Sequence, residues 1–221
     1  MKIKYVDFNN AGALINGALA HEWRGLETAL LQMPLHLKAS DQAGIHGNAI
    51  FDVVGTNEYI ANHLTSPPLN WQGGIPIQQN FSFLGKDVDF GKNGLIVEVQ
   101  FSNSPFLINN TVRSELFYRS KTMFNGSATK LVIIVTKARM FPSSNSTLYY
   151  EQALQQLTAL AQHSVFTVPI RLVGLFEAFG QVTATWTTYS AARYSRTVSG
   201  VRQPKNFTII PSSRGLRCKI I

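Results

Sequence analysis

The stretch from Lys86 to Phe101 decides the fold of this chain, and it reads Lys-Asp-Val-Asp-Phe-Gly-Lys-Asn-Gly-Leu-Ile-Val-Glu-Val-Gln-Phe. The dipeptide Asn93-Gly94 lies between two runs in which polar and apolar residues alternate. An Asn-Gly pair in this setting is the strongest short-range signal for a β-hairpin, because both residues tolerate the positive φ angles of a tight turn. We therefore predict two antiparallel strands joined by a two-residue turn, with a four-residue loop as the alternative.

The predicted hairpin brings acidic side chains together. A two-residue turn places Asp89 opposite Glu98 and Asp87 opposite Gln100 on one face, and the other face carries the predicted core residues Leu95, Val97, Val99 and Phe101. Opposed residues have β-carbons roughly 4.5–5.5 Å apart, and carboxylates that close repel each other unless a cation lies between them. Hard oxygen ligands on a rigid strand pair suit Mg²⁺. Two alternatives stay open: an exposed acidic face on an ordinary hairpin, or, with the longer loop, Asp87 facing Glu98.

Length and composition indicate an ordinary globular protein. The 221 residues allow one sizeable core, or a core with a small appendage. The longest apolar runs have the length of a strand, so we expect no transmembrane helix, and the N-terminus lacks the apolar segment of an export signal. The single cysteine, Cys218, excludes an internal disulfide, and the five histidines show no ligand spacing for zinc. We expect a cytoplasmic protein.

The charge distribution indicates a polyanionic partner. The formal net charge is +8, and no acidic residue follows Glu177. Seven basic residues lie in that last part of the chain: Arg193, Arg196, Arg202, Lys205, Arg214, Arg217 and Lys219. A segment with charge of one sign is the electrostatic footprint of a nucleic-acid-binding surface. For the last dozen residues, a disordered basic tail is an equal alternative.

The remaining pattern predicts an α/β core with a central mixed sheet. We predict helices over residues 11–32, 57–64, 105–120 and 148–162, and buried strands over 130–137 and 170–176. Strand, helix and strand with apolar runs are typical of an α/β core. Residues 38–47 are polar and are predicted to be a surface loop. Short alternating strands after Gln181 predict a small all-β appendage, which divides the chain into residues 1–178 and 179–221.

Asp89, followed after a gap of eight residues by Glu98-Val-Gln100, is similar to the metal-dependent nuclease motif Asp…(Asp/Glu)-X-Lys, with Gln100 where the motif has lysine. Other segments carry the same similarity: residues 33–42, 98–103, 109–116, 144–146, 148–152, 168–175 and 193–197. On these segments the chain resembles the type II restriction endonucleases of the PD-(D/E)XK nuclease superfamily. The similarity covers nearly the whole chain and thins after Val198. It implies a restriction-endonuclease-like core in residues 1–178, with catalytic and dimerisation roles, and a basic DNA-binding subdomain in 179–221.

The resemblance implies an active site on the hairpin. Asp89 and Glu98 would hold one Mg²⁺ together with the backbone carbonyl of Val99, and Asp87 would be structural. Gln100 has no useful proton affinity near neutrality and would orient the attacking water. Gly74 stands where the family has an asparagine near the active site, so that contact would be absent or made by a neighbouring residue.

The resemblance also implies the target and the assembly. Recognition of DNA would fall to short polar and basic side chains: Ser102, Asn103, Arg113, Asn145, Ser146, Tyr194 and Arg196. For residues 144–146 taken alone, capping of the next helix is the simpler interpretation. The implied target is a palindromic six-base-pair site with central GATC, cut before the G to leave four-base 5′ extensions; AGATCT is favoured over TGATCA or GGATCC. Cutting both strands of a palindrome calls for a homodimer, formed in part by the helix with Arg113 and Leu116.

Two other classes of function fit parts of the sequence. In a non-catalytic, sequence-specific DNA-binding protein, the acidic hairpin would be structural only. A glycosidase would use Asp89 and Glu98 as its carboxylate pair, but it would leave the basic C-terminal part without a role.

Overall fold

The Asn93-Gly94 turn forms as predicted in the computed structural model, which describes residues 1–143, 147–191, 196–212 and 215–221. The two turn residues have φ angles of 53° and 87°. Lys92 pairs with Leu95 and Phe90 pairs with Val97, which is the register of a two-residue turn. The four-residue loop was therefore the wrong alternative.

Thirteen strands are formed by the described residues. In chain order they are β1 (Lys2–Phe8), β2 (His36–Ala39), β3 (Ala49–Phe51), β4 (Gln72–Pro76), β5 (Asp87–Lys92), β6 (Leu95–Val99), β7 (Met123–Phe124), β8 (Ser127–Ala128), β9 (Leu131–Lys137), β10 (Ile170–Phe176), β11 (Gly180–Thr187), β12 (Gln203–Ser212) and β13 (Gly215–Ile220). The α-helices are α1 (Ala11–Asn16), α2 (Ala20–Gln32), α3 (Val53–Thr65), α4 (Pro105–Arg119) and α5 (Tyr150–Gln162), and a 3₁₀ helix spans Gln79–Leu84.

A six-stranded mixed sheet forms the centre of the fold, as predicted. Its order is β1-β10-β9-β6-β5-β4, with β6, β9 and β10 parallel and the others antiparallel. Alternate residues of β6 and β9 enter different cores: Val97 and Ile133 pack with helices α2 and α3, whereas Ile96 and Val132 pack with α4 and α5. Helices thus cover both faces of the sheet.

A second sheet has the order β13-β12-β11-β2-β3. Its last three strands in the chain correspond to the predicted all-β appendage, but β2 and β3 come from the segment that we predicted to be core and surface loop. Strand β2 runs parallel to β11, with Leu37 beside Trp186. The sheet therefore takes strands from both sides of the predicted boundary between residues 178 and 179, and that boundary stays a prediction.

Two predicted helix bounds were wrong. The helix expected over residues 11–32 breaks at Gly17, whose ψ of −107° is not helical, and a second helix begins at Ala20. The helix expected to begin at Asn57 begins at Val53, because the Asp52 side chain accepts the amide hydrogen of Val54 and caps it. In the part of the chain that the structure describes, no helix is long and apolar enough to cross a membrane.

Candidate active site

Asp89 and Glu98 meet across the hairpin, although not as a regular backbone pair. The strand ladder ends at Phe90 and Val97. Beyond it, the backbone N–H of Val99 donates to Oδ2 of Asp89 at 2.7 Å, and the backbone N–H of Asp89 donates to the Glu98 carboxylate. These reciprocal bonds fix the two carboxyl groups relative to each other at the end of the strand pair.

The pairing predicted for Asp87 and Gln100 was wrong. Asp87 pairs with Pro76 on the other side of its strand, and the backbone N–H of Gln100 donates to the carbonyl oxygen of Val135 at 2.8 Å. The strands of the hairpin therefore separate beyond Asp89 and Val99, and each continues along its other neighbour.

Strand β5 changes face at Asp89. Val88 and Phe90 would share a face in a regular strand, yet Val88 packs in the core under α4 and Phe90 in the core under α2 and α3. Gly74, the residue of β4 beside Asp89, has a φ of 58°, a conformation that most side chains avoid. The irregularity leaves a pocket of about 400 Å³. Its lining residues are Asn57, Ala61, Thr65, Gly73, Gly74, Asp87, Asp89, Phe90 and Val99.

Glu98 is buried beside a cation. The residue is 3% exposed, and its carboxylate accepts from the Arg113 guanidinium at 2.6 Å. Burial raises the pKa of Glu98 to about 7; the Arg113 charge opposes this shift and the Asp89 charge adds to it. Burial also raises the pKa of Asp89, against the bond from Val99 and the Arg113 charge, and Asp87 adds to the rise. One guanidinium thus only partly compensates the local negative charge, and the site favours a further cation.

The donor set is limited to few carboxylates. Within the described ranges, no group of three or more His, Cys, Asp or Glu side chains could hold a metal ion. Two carboxylates with a backbone carbonyl and water are the hard oxygen ligands that Mg²⁺ accepts. Val99 is the last residue of β6 and lines the same pocket as Asp89.

Gln100 is held on both sides of its amide. Its side-chain oxygen accepts a hydrogen bond from the Asn110 amide, and its side-chain nitrogen donates to the carbonyl of Ser102 at 3.2 Å. The side chain is 7% exposed. Since an amide nitrogen carries two hydrogens, one remains for a further acceptor.

Comparison with known proteins identifies the family. A family model described as restriction endonuclease BglII/BglIII matches residues 3–175. The type II restriction enzyme BglII of Bacillus subtilis is 54% identical over 200 residues, which covers 90% of this chain and 87% of the relative. The chain belongs to the BglII family of restriction endonucleases. It is accordingly a type II site-specific deoxyribonuclease.

Two solved structures of BglII match the whole chain. The crystal structure of BglII complexed with a DNA 16-mer superimposes with a TM-score of 0.94 at 50% identity, and free BglII with a TM-score of 0.76 at 47% identity. Each match covers 100% of this chain and 99% of the other. The arrangement of this chain is thus nearer to that of BglII on DNA. The predicted restriction-endonuclease fold is confirmed.

The residues expected to contact DNA in this BglII-family chain lie in different settings. Ser102 and Asn103 are exposed between β6 and α4, two and three residues after Gln100, and Arg196 is exposed. Arg113 is 9% exposed and is bound to Glu98. Asn145, Ser146 and Tyr194 lie outside the described residues. The roles assigned to all of them stay predictions.

Two contacts of the site were missed by sequence reasoning. Asn110 lies on α4, ten residues after Gln100, and nothing in the spacing marks it as a partner of that amide. The pairing of Arg113 with Glu98 was also missed, because an arginine in a DNA-binding protein was taken as a contact to DNA. Both contacts are made by residues of α4, and they become visible only when α4 is packed on the sheet.

Proposed function

We propose that this chain hydrolyses double-stranded DNA in a Mg²⁺-dependent reaction at a palindromic six-base-pair site with central GATC. AGATCT is the favoured target, with TGATCA or GGATCC as alternatives, and the products carry four-base 5′ overhangs with 5′-phosphates. The observation that carries the proposal is the linked pair of Asp89 and Glu98 at the end of a hairpin, in a chain of the BglII family.

Asp89, Glu98 and the carbonyl of Val99 are proposed as the Mg²⁺ ligands. Their fit is supported by the raised pKa values of both carboxyl groups, because burial disfavours their charged forms and a bound cation would oppose that shift. The metal would neutralise charge on the scissile phosphate and make water a better nucleophile. Arg113 holds the Glu98 carboxylate in place and compensates part of its charge.

Gln100 is proposed to orient the attacking water. Asn110 holds the amide oxygen, so the side-chain nitrogen is turned toward Ser102 and has one hydrogen to spare. An amide cannot accept the proton of the water, so the base is another group, either a hydroxide or a phosphate oxygen of the substrate.

Recognition of bases is proposed for Ser102, Asn103, Asn145, Ser146, Tyr194 and Arg196, since asparagine pairs with adenine, arginine with guanine and serine with either. Ser102 and Asn103 follow Gln100 by only two and three residues, so a shift in the contacts to bases would move the catalytic strand. Arg113 was predicted among these residues; its buried pairing with Glu98 favours a role at the metal site instead.

A homodimer is proposed, with α4 contributing to the interface. Ile108, Val112 and Leu116 recur at intervals of four and form one stripe on this helix. They are 38%, 45% and 38% exposed, which is high for apolar side chains. A second copy on this stripe would bury it and would give the two-fold symmetry that a palindromic target requires. We also propose that the enzyme acts in the bacterial cytoplasm.

Digestion of a DNA of known sequence tests the proposal. The protein is incubated with linear DNA that contains single AGATCT, TGATCA and GGATCC sites, with Mg²⁺ or with EDTA, and the ends are sequenced. Cutting only with Mg²⁺, before the G of one of these sites, supports the proposal. Blunt ends, or a site without central GATC, contradict the target. A mobility shift without cleavage favours the non-catalytic alternative.

A further inference from the structure

A lysine is buried behind the active site, outside the residues considered so far. Lys137 is the last residue of β9 and is 0% exposed. Its ammonium donates to the carbonyl oxygen of Phe101 at 2.6 Å and to the hydroxyl of Thr147. The Thr147 hydroxyl lies 3.0 Å from the same carbonyl oxygen. Three groups from three segments thus meet at one point.

The surroundings of this ammonium are apolar. It lies 5.6, 5.5 and 5.4 Å from the ring centres of Phe51, Phe101 and Tyr149. Across the described ranges, no salt bridge to Lys137 is formed, and burial lowers its pKa to about 7. A buried amine is costly unless its hydrogen bonds are made, and an apolar side chain would fill the same space at lower cost. We therefore attribute the role of Lys137 to its hydrogen bonds with the Phe101 carbonyl oxygen and the Thr147 hydroxyl.

Those two oxygens belong to the segments that are proposed to read DNA. Phe101 connects Gln100 to Ser102 and Asn103, and Thr147 directly follows Asn145 and Ser146. A shift of Lys137 would therefore move both recognition segments relative to the end of the catalytic strand.

We propose that Lys137 is a positioning residue that couples recognition of the target sequence to cleavage. It acts through the Phe101 carbonyl and the Thr147 hydroxyl, and it joins the residues next to the two proposed recognition segments at one point beside the end of the catalytic strand. The inference rests on the proposed function. It predicts that loss of the hydrogen bonds among Lys137, Phe101 and Thr147 lowers both the cleavage rate and the discrimination between target sequences.

The test compares Lys137→Met, which keeps the length and apolar stem, with Thr147→Val, which replaces the hydroxyl with a methyl group. Thr147→Ser retains the hydroxyl and serves as the conservative rescue. Lys130→Met changes an exposed lysine just before the same strand and is the matched control. Two quantities are measured on AGATCT and on duplexes with the outer base pair changed: the cleavage rate at saturating protein with Mg²⁺, and the binding constant with Ca²⁺ by fluorescence anisotropy.

We expect Lys137→Met and Thr147→Val to cut at least about tenfold more slowly at saturation, since small displacements of reacting groups have effects of that size. The binding preference for AGATCT should also fall by about tenfold, the effect of one weakened base contact. Thr147→Ser and Lys130→Met should behave as the wild type. If Lys137→Met does not fold, the comparison of Thr147→Val with Thr147→Ser still tests the inference.

Variants that melt at a lower temperature but keep the wild-type saturating rate and discrimination would overturn the inference, because Lys137 would then be structural only. A wild-type protein that binds AGATCT specifically but never cuts would refute the proposed catalysis, and the binding preference of the variants would still decide on Lys137. A wild-type protein that neither binds nor cuts these sites would refute both.

Discussion

Replacement of Arg113 by methionine separates the two roles that this arginine could have. In the structure its guanidinium lies 2.6 Å from the Glu98 carboxylate, and the two side chains are 10% and 4% exposed. Removal of one partner from a buried ion pair typically costs about 3–5 kcal/mol, because the other charge is left uncompensated. In a protein of this size that loss lowers the melting temperature by roughly 2–4 °C per kcal/mol. Methionine fills the aliphatic part of the space, so the loss is mainly electrostatic.

The loss of stability in Arg113→Met should depend on pH, and the raised pKa of Glu98 determines the direction of that dependence. A carboxyl group whose pKa is raised by folding stabilises the native state below its unfolded pKa, and this stability is lost as the pH rises through the folded value. The folded value for Glu98 is about 7, and Arg113 holds it down. Without Arg113 it rises further, so the variant should differ little from the wild type at pH 5 and strongly at pH 8.5.

Urea unfolding of the two proteins at pH 5 and pH 8.5, without metal, measures the difference. The control compares the double variant Arg113→Met with Glu98→Gln against Glu98→Gln alone, because neither protein has a charge at position 98, and the loss between them should depend far less on pH. An equal loss for the single variant at both pH values would refute the reasoning, and so would a variant that keeps its stability but loses only affinity for DNA.

The remaining predictions concern the other groups of the site. The midpoint of Mg²⁺ binding should fall as the pH rises through about 7, since Glu98 must lose its proton to bind metal; thermal stabilisation by Mg²⁺ at pH 6 and 8 checks this. Gln100→Glu adds a carboxylate beside Glu98 and should shift the Mg²⁺ dependence of cleavage, so an unchanged titration at full activity would count against Gln100 lying near the metal. Gly74→Asn should fold with a loss below about 1 kcal/mol, because a Cβ there meets nothing within 4 Å and asparagine tolerates a positive φ, whereas Gly74→Val should melt clearly lower.

The hairpin was predictable because its signal is local. Asn93-Gly94 and the alternation around it suffice to set the turn and the register of three residue pairs. The change of face at Asp89 could not be predicted, because no pattern within β5 indicates it; it lies beside Gly74 of the neighbouring strand, whose φ is 58°. The site opens at that irregularity, so the local signal located the carboxylates but not the pocket.

Long-range contacts account for the other differences. The buried strands predicted at 130–137 and 170–176 were found from their apolar runs, but β2 lies beside β11, about 150 residues later in the chain, and its second half falls in the segment 38–47 that was predicted to be a surface loop. The break at Gly17 had a signal in the glycine itself, which the apolar stripe of the surrounding residues outweighed. The partners of Gln100 and Glu98 lie on α4, and only its packing on the sheet brings Asn110 and Arg113 to them.

The central claim is that Asp89 and Glu98 together hold the metal that cleavage requires. The direct measurement compares wild type, Asp89→Ala and Glu98→Ala on one AGATCT duplex, with cleavage followed in Mg²⁺ and specific binding followed in its absence. Lys130→Met changes an exposed residue just before β9 and is the control for effects that any substitution would have. We predict that both alanine variants bind the duplex nearly as the wild type does and cut none of it. Cleavage by either variant at a near-normal rate would contradict the assignment of the metal site.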